Sequence, residues 1–503
     1  KQQVAVAIDH AGTGAYRPIA QYPDIQVMPT IPAKIRLIAP SRAIVGRPTS
    51  VAVVVMDQFE NATQRYRGTV QLSTSDSTAV LPAPHHFTAE DRGTRALLVT
   101  FHTPGIHTLK VRGDQHLAPH GIHSNPVHVS LDPDDLNLYW GDLHAHSGYS
   151  KDGAGDATTA YTYARDVSVL DFFALTDHSA GDFQEDGSYW AGLIPAEWEH
   201  NQALVQEFTV AGEFVALLAC EWSGRTPYGH HNVFYRGLEG QPLGEDDITA
   251  IAEIWGLLEV GEAFTIPHHT GLSWPSGGSP DTDWRRHRND ALRPAIEIYS
   301  LWGSGEYYGN DMSYEHYFQR NYHSHKGPNY ARDAWALGHH IGSVAGSDDH
   351  NAHPGQEHGG LTAVYAAALT RSDIFDAILR RHTYATTGQR MLLEFAINGR
   401  MMGERLQLPT GTAPEIRVKV VGTDVLDWVE VMKFDGRAWS VIFEERPASP
   451  RLQVSFVDDN FDRSSLYYVR ARQRNLRENR PVMAWSSPIW VARSSEPWWQ
   501  VAE

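Results

Sequence analysis

Short runs of alternating apolar and polar residues open the chain. "AKIRLIAP", "TSVAVVVMD", "GTVQLSTS", "RALLVTFH" and "HTLKVRG" are separated by Gly, Pro, Asn and Asp. A period of two with β-branched residues reads as half-buried strands, so residues 1–130 are expected to form an immunoglobulin-like β domain. From residue 131 to 390 the pattern changes. Wholly apolar runs ("LNLYWGDL", "VLDFFALTD", "FVALLACE", "NVFYRG", "AFTIPH", "AIEIYS", "IGSVAGSD") alternate with helix-like stretches such as "DATTAYTYARDVS", "PAEWEHNQALVQEFTVAG" and "RSDIFDAILRRH". Strands alternating with helices predict βαβ units, a mainly parallel sheet and α/β architecture. Seven or eight units favour a barrel over an open sheet. Residues 391–503 return to strand-like runs ("EIRVKVVG", "WVEVMKFDG", "LYYVRARQ", "SPIWVAR"), read as a C-terminal β-sandwich packed on the centre.

Composition narrows the function. The 503 residues carry a net charge of -18, which argues against nucleic acid and anionic membranes as partners. No apolar run approaches the roughly 18 residues of a membrane span. The single cysteine, Cys220, allows no intrachain disulfide, and its place in an apolar run suits burial better than nucleophilic chemistry. The compartment stays open between cytoplasm and periplasm, and the oligomeric state stays open too.

Histidine, 27 in all, is the departure, and its placement matters more than its number. The first apolar run of the central section ends in His144-x-His146, with Asp152 six residues on. The second ends in Asp177-His178 and the third in Glu221. The fourth begins at His230-His231, the fifth ends in His268-His269, and the last ends in Asp348-x-His350. In parallel α/β folds, functional groups gather at the carboxyl ends of strands. Residues i and i+2 of a strand share a face, so each H-x-H or D-x-H pair can converge on one ion. Mixed imidazole and carboxylate donors suit Zn, Mn or Fe. A carboxylate such as Glu221 can bridge two ions. The choices within His230/His231 and His268/His269 are left open by spacing alone.

Together "DLHAHSGYSKDG", "TDHS", "GHHN" and "GSDDH" resemble the PHP (polymerase and histidinol phosphatase) superfamily of metal-dependent hydrolases. The fuller "YWGDLHAHSGYS" with the late "YATTG" is similar to its DUF3604 branch and to carbaryl-hydrolase-like metallohydrolases. The resemblance implies a distorted (β/α)7 barrel, flanked here by the two β-sandwich domains, holding two or three divalent metal ions. It implies that His144, His146, Glu221 and Asp348 hold one ion, and that Glu221 bridges to a second held by His230 and His268. Asp152, His178 and His350 would hold a third. Lys151 in "SKDG" interrupts the usual Ser-Asp-Gly run.

The expected chemistry is attack by a metal-bound hydroxide on a small-molecule ester, without a covalent enzyme intermediate. A phosphoester is the first expectation, and an aryl carbamate or carboxyl ester the alternative. Glu221, Asp177 and His269 are the catalytic candidates, the last two as proton donors to an alkyl leaving group. Residues 139–388 contain two lysines, Lys151 and Lys326, so an anionic substrate would rest on the ions and on Arg225, Arg285, Arg286 or Arg288. Trp222, Tyr228 and Trp274 flank ligand motifs and, with Arg225, are the candidates for substrate contact. No G-x-S-x-G elbow, P-loop or strand-G-x-G-x-x-G-helix unit is present, which removes serine hydrolases of that class and nucleotide cofactors. A metal-stabilised binding protein is the reading from another class. Nine ligands over three ions, one shared, would leave coordination positions for water and substrate, which favours an enzyme.

Overall fold

The computed structural model describes residues 2–3, 7–9, 17–18, 24–25, 28–114, 117–179, 182–183, 189–190, 192–224, 227–244, 248–273, 281–314, 323–477 and 479–494. Arg225 and Trp274 lie outside the described residues. The apolar runs of the central section are strands, at Asn137–Asp142, Phe172–Leu175, Val215–Trp222, His231–Tyr235, Ala263–Pro267, Ala295–Ser300 and Gly342–Ala345. Helices at Ala157–Asp166, Pro195–Phe208 and Arg371–Leu379 fill three of the helix-like stretches. Each starts on a local signal. The Asp156 carboxylate accepts from Thr158 N, Pro195 occupies the first turn, and the Thr370 hydroxyl accepts from Asp373 N.

These elements do not assemble as the expected α/β barrel. The described residues hold far more strand than helix, 41% against 11%, in several sheets, and none of those sheets closes. The main sheet runs from Ala263–Pro267 through the strands beginning at His231, Val215, Phe172 and Asn137. It continues into Leu361–Ala366 and Thr383–Thr386. Along this stretch, from Ala263–Pro267 to Thr383–Thr386, Asn137–Asp142, Phe172–Leu175 and Val215–Trp222 pair in parallel and the other ladders are antiparallel. Ala295–Ser300 and Gly342–Ala345 pair in a separate three-stranded sheet. The physical reason lies in the connections. Residues 223–230 are too few for the dozen or more residues a parallel crossover needs, so the chain turns back as a hairpin. The segment before Ala263 holds, among its described residues, the seven-residue helix Ile251–Leu257 and also returns antiparallel.

Alternation still sorts the side chains. Phe172, Ala174, Val215, Leu217, Ala219, Phe234, Phe264, Ile266, Ala295 and Val344 face one interior layer. Their neighbours Phe173, Leu175, Ala216, Leu218, Cys220 and Val233 pack instead with Tyr161, Leu204 and Phe208 of the helices. Phe234 stacks on Phe264 at 4.9 Å, and Phe264 meets Phe375 at 4.5 Å. Each buried phenyl contributes about 1.5–3 kcal/mol, and together they make a dry layer below the strand ends.

The flanking regions are built into this frame. In the first, Ile35, Leu37, Val51, Val53 and Val99 share a core with Val70, Leu72, Leu109, Val111 and Val127 from other strands. The C-terminal region extends the main sheet, because Thr383–Thr386 pairs with Ala484–Ser486 and the ladder passes on into Ser465–Arg477 and Leu426–Phe434. Both regions meet at Glu357, which Lys34 approaches at 3.5 Å and Arg477 at 3.1 Å. No helix among the described residues is long and apolar enough to cross a membrane.

Candidate metal centre

All the ligand motifs arrive at one edge of the strands. His144 and His146 follow Asn137–Asp142, His178 follows Phe172–Leu175, and Glu221 lies near the end of Val215–Trp222. His230 precedes His231–Tyr235, which runs the opposite way and so begins at the same edge. His268 and His269 follow Ala263–Pro267, and Asp348 and His350 follow Gly342–Ala345. Asp348 has φ +55° and His269 φ +33°, left-handed backbone seldom taken by residues other than glycine. The Asp348 N–H donates to His144 O at 2.7 Å, which fixes that turn against the first motif.

Four donor atoms form the innermost group. His144 Nε2 lies 3.2 Å from His146 Nε2, 3.2 Å from Glu221 Oε2 and 3.2 Å from Asp348 Oδ1. His146 Nε2 lies 3.3 Å from Glu221 Oε2 and 3.2 Å from Asp348 Oδ1. These five separations, all 3.2–3.3 Å, are the spacing expected of nitrogen and oxygen donors about 2.0 Å from a shared ion. The donor set present therefore fits a divalent ion. All four are buried.

The other oxygen of Glu221 faces a second group. Oε1 is 2.8 Å from His230 Nδ1 and 3.3 Å from His268 Nε2. His269 completes a set of three imidazoles whose nitrogens lie within 4.8 Å of one another. Beyond the 3.3 Å approach of Glu221, neither ring nitrogen of the fully buried His268 has a hydrogen-bond partner among the described residues, an arrangement that is costly unless a ligand satisfies it. The third group is open to solvent. Asp152 Oδ2 lies 3.5 Å from both His178 Nε2 and His350 Nε2, with its side chain 44% exposed. The His146 ring lies between, 4.7 Å from His178 and 4.2 Å from His350.

Carboxylates and imidazoles shift one another across the site. Burial disfavours the charged form of Glu221, Asp348 and Asp152. The surrounding imidazoles outweigh it and hold all three below the usual carboxylate range. Burial pushes His268 down to about 3, leaving a neutral ring. Burial and the neighbouring His268 and His230 push His269 well down as well.

A shell of acceptors sets the tautomers. Glu297 Oε2 accepts from His144 Nδ1 at 2.9 Å, which turns Nε2 toward the inner group. Ser150 Oγ lies 2.9 Å from His146 Nδ1 and donates to Asp177 Oδ1 at 2.8 Å. His350 Nδ1 donates to Asp348 O at 3.0 Å. Glu297 is the residue that motif reading missed. Its signal was a lone acid inside the apolar run "AIEIYS", and burial lifts its carboxyl to about 7.

The remaining candidates are placed as follows. Asp177 accepts from Ser147 N, Ser147 Oγ, Ser150 N and Ser150 Oγ, so its carboxylate organises the 147–150 turn. Trp222 alternates away from Glu221 and packs in the helix-side core, and Tyr228 sits against His287 at 5.2 Å. Arg285 and Arg286 pair with Asp283, and Arg288 with Asp290, all at exposed positions. Burial pushes the Cys220 thiol up to about 12.

Residues 319–407 match a family model described as a protein of unknown function, DUF3604. Of the ligand candidates, that stretch holds Asp348 and His350. Among curated proteins, an uncharacterized protein of Chlamydia muridarum is 24% identical over 525 residues, covering 98% of this chain and 79% of its own length. One from Chlamydia trachomatis is 24% identical with the same shares, and one from Chlamydia pneumoniae is 25% identical over 522 residues, with shares of 96% and 78%. Among solved structures, domains 4 and 5 of the S-layer protein SbsC match 23% of this chain and 59% of that one. That match has 15% identity and a TM-score of 0.16, too low to carry a fold argument.

Proposed function

We propose that the chain is a metal-dependent hydrolase of a small-molecule ester, a phosphoester in first place, allied to the PHP superfamily through its DUF3604 branch. One observation carries the reading: the two oxygens of Glu221 face two different sets of imidazoles, at 3.2–3.3 Å on one side and 2.8–3.3 Å on the other. A single buried carboxylate shared in this way is what a site for adjacent divalent ions requires. Two or three ions of Zn, Mn or Fe would be held by His144, His146, Glu221 and Asp348, by Glu221, His230 and His268, and by Asp152, His178 and His350. Ions so placed polarise a bound ester and acidify a bound water.

The chain's own residues do the rest. Glu297 and Ser150 orient His144 and His146, and Asp177 holds Ser150. The apolar layer of Phe172, Phe234 and Phe264 excludes water from below. His269 is held neutral by burial and by its neighbours His268 and His230, so it carries no proton for a leaving group and accepts one poorly. Cys220 is buried and protonated and offers no competing nucleophile. An aryl carbamate or carboxyl ester remains a second reading, supported by the absence of free arginines among Arg285, Arg286 and Arg288.

Metal analysis of the purified chain, joined to a hydrolysis screen over aryl phosphates, phosphodiesters, carboxyl esters and carbamates, tests the proposal. At least two divalent ions per chain and metal-dependent turnover of one class are expected. Undiminished turnover by metal-free protein would overturn it.

A further inference from the structure

A residue that ligand chemistry does not pick out stands beside the centre. Trp302 follows the Ala295–Ser300 strand that carries Glu297. Its ring centroid lies 6.1 Å from that of His269 and 6.4 Å from that of His350, with interplanar angles of 67° and 72°. The indole therefore spans from the second group of imidazoles to the outer one. It is half-buried, and it backs onto Leu272, Tyr314 and Tyr330. A large apolar ring beside a cluster of buried charge is a contact surface for the part of a ligand that the ions do not take.

The ring is held in place from the C-terminal sheet. Arg480 Nη1 donates to Leu301 O at 2.8 Å. Five residues on, Glu306 accepts from Arg332 at 3.0 Å, Tyr468 at 2.5 Å, Arg470 at 3.3 Å and Trp485 at 2.9 Å. Between them Gly303 takes φ +131°, and a Cβ there would come 2.8 Å from Met312 O, so the path of the chain after Trp302 admits only glycine. A residue braced on both sides by hydrogen bonds from distant parts of the chain is preorganised rather than adaptable.

We propose that Trp302 is the specificity-determining wall of the site, selecting esters that carry a flat apolar group beside the anionic or carbonyl head. This rests on the metal-dependent ester reading above. The ions and imidazoles take the head, and the indole takes the ring. Arg480 is a positioning residue that acts through Leu301.

Isothermal titration of the metal-loaded full chain with phenylphosphonate and methylphosphonate tests this, because the C–P bond of each probe resists hydrolysis. The parent should prefer phenylphosphonate by about tenfold, the increment of one aromatic contact. Trp302→Ala should bring the ratio close to one while metal content and methylphosphonate affinity stay within about twofold. Trp302→Phe should keep most of the preference, and Arg480→Met should lose part of it at full metal content. A parent without preference, or a preference that survives Trp302→Ala, overturns the proposal with the metal reading intact. A chain that binds neither metal nor either phosphonate overturns both.

Discussion

Replacing Glu297 by Gln perturbs the centre without touching a ligand. The carboxylate is buried, and Oε2 accepts from His144 Nδ1 at 2.9 Å. Gln keeps the volume and a carbonyl acceptor but removes the charge. A hydrogen bond to a charged acceptor is roughly twice as strong as one to a neutral acceptor, and it makes the distal nitrogen a better donor. Loss of such a partner lowers metal affinity by about ten- to a hundredfold, or about 1.4–2.8 kcal/mol. The fold should not suffer in parallel, since burial already disfavours this charge and lifts the group to about 7. Denaturant unfolding of metal-free parent and variant should therefore coincide, while the stabilisation added by metal should shrink by the same 1.4–2.8 kcal/mol, by about the linkage relation. Competition against a chromophoric chelator measures the affinity directly. An affinity within twofold of the parent, for Glu297→Gln and Glu297→Ala alike, would refute the claim that this carboxylate tunes His144.

Other expectations follow from the same coordinates. Glu221→Gln should remove more than one ion per chain, read by elemental analysis, because both its oxygens face imidazoles; loss of turnover at full occupancy would assign it a proton-transfer role instead. Under a chelator, ions should leave in two phases, the outer one first, because Asp152 is 44% exposed whereas the His144 and His146 side chains have no exposed surface. A single phase counts against separate sites. Burial opposes the Glu306 charge, but Arg332 and Arg470 outweigh it and hold the group below the ordinary Glu range. Its share of stability is thus complete above about pH 4.3 and lost as pH falls through the lowered value. Acid unfolding of Glu306→Gln should show a shallower limb than the parent, and superimposable limbs would remove Glu306 from the account.

The sequence was informative where one residue type does one job. Metal donors are few in kind, so His144-x-His146 and Asp348-x-His350 stand out at the ends of apolar runs, and the structure places them in one cluster. The strands were legible for a similar reason, since burial on both faces leaves runs such as "FVALLACE" without polar interruption. Their direction was not legible. Nothing in the apolar run "NVFYRG" says that it returns antiparallel; that is decided by a hairpin of eight residues. Glu297 and Trp302 were passed over because their neighbours are distant in sequence. Glu297 is 153 positions from His144, and Arg480 is 179 positions from Leu301.

The ladder between Thr383–Thr386 and Ala484–Ser486 has a practical consequence. A fragment cut after residue 390 would leave the outer N–H and C=O groups of Thr383–Thr386 without partners, a bare template for pairing with other chains. Such a fragment should form soluble aggregates or exchange strands between copies, whatever its metal content. The C-terminal strands are thus the edge guard of the half that carries the candidate metal centre, and boundaries for expression are better set beyond Ile489–Arg493 than at the point where the sequence pattern changes.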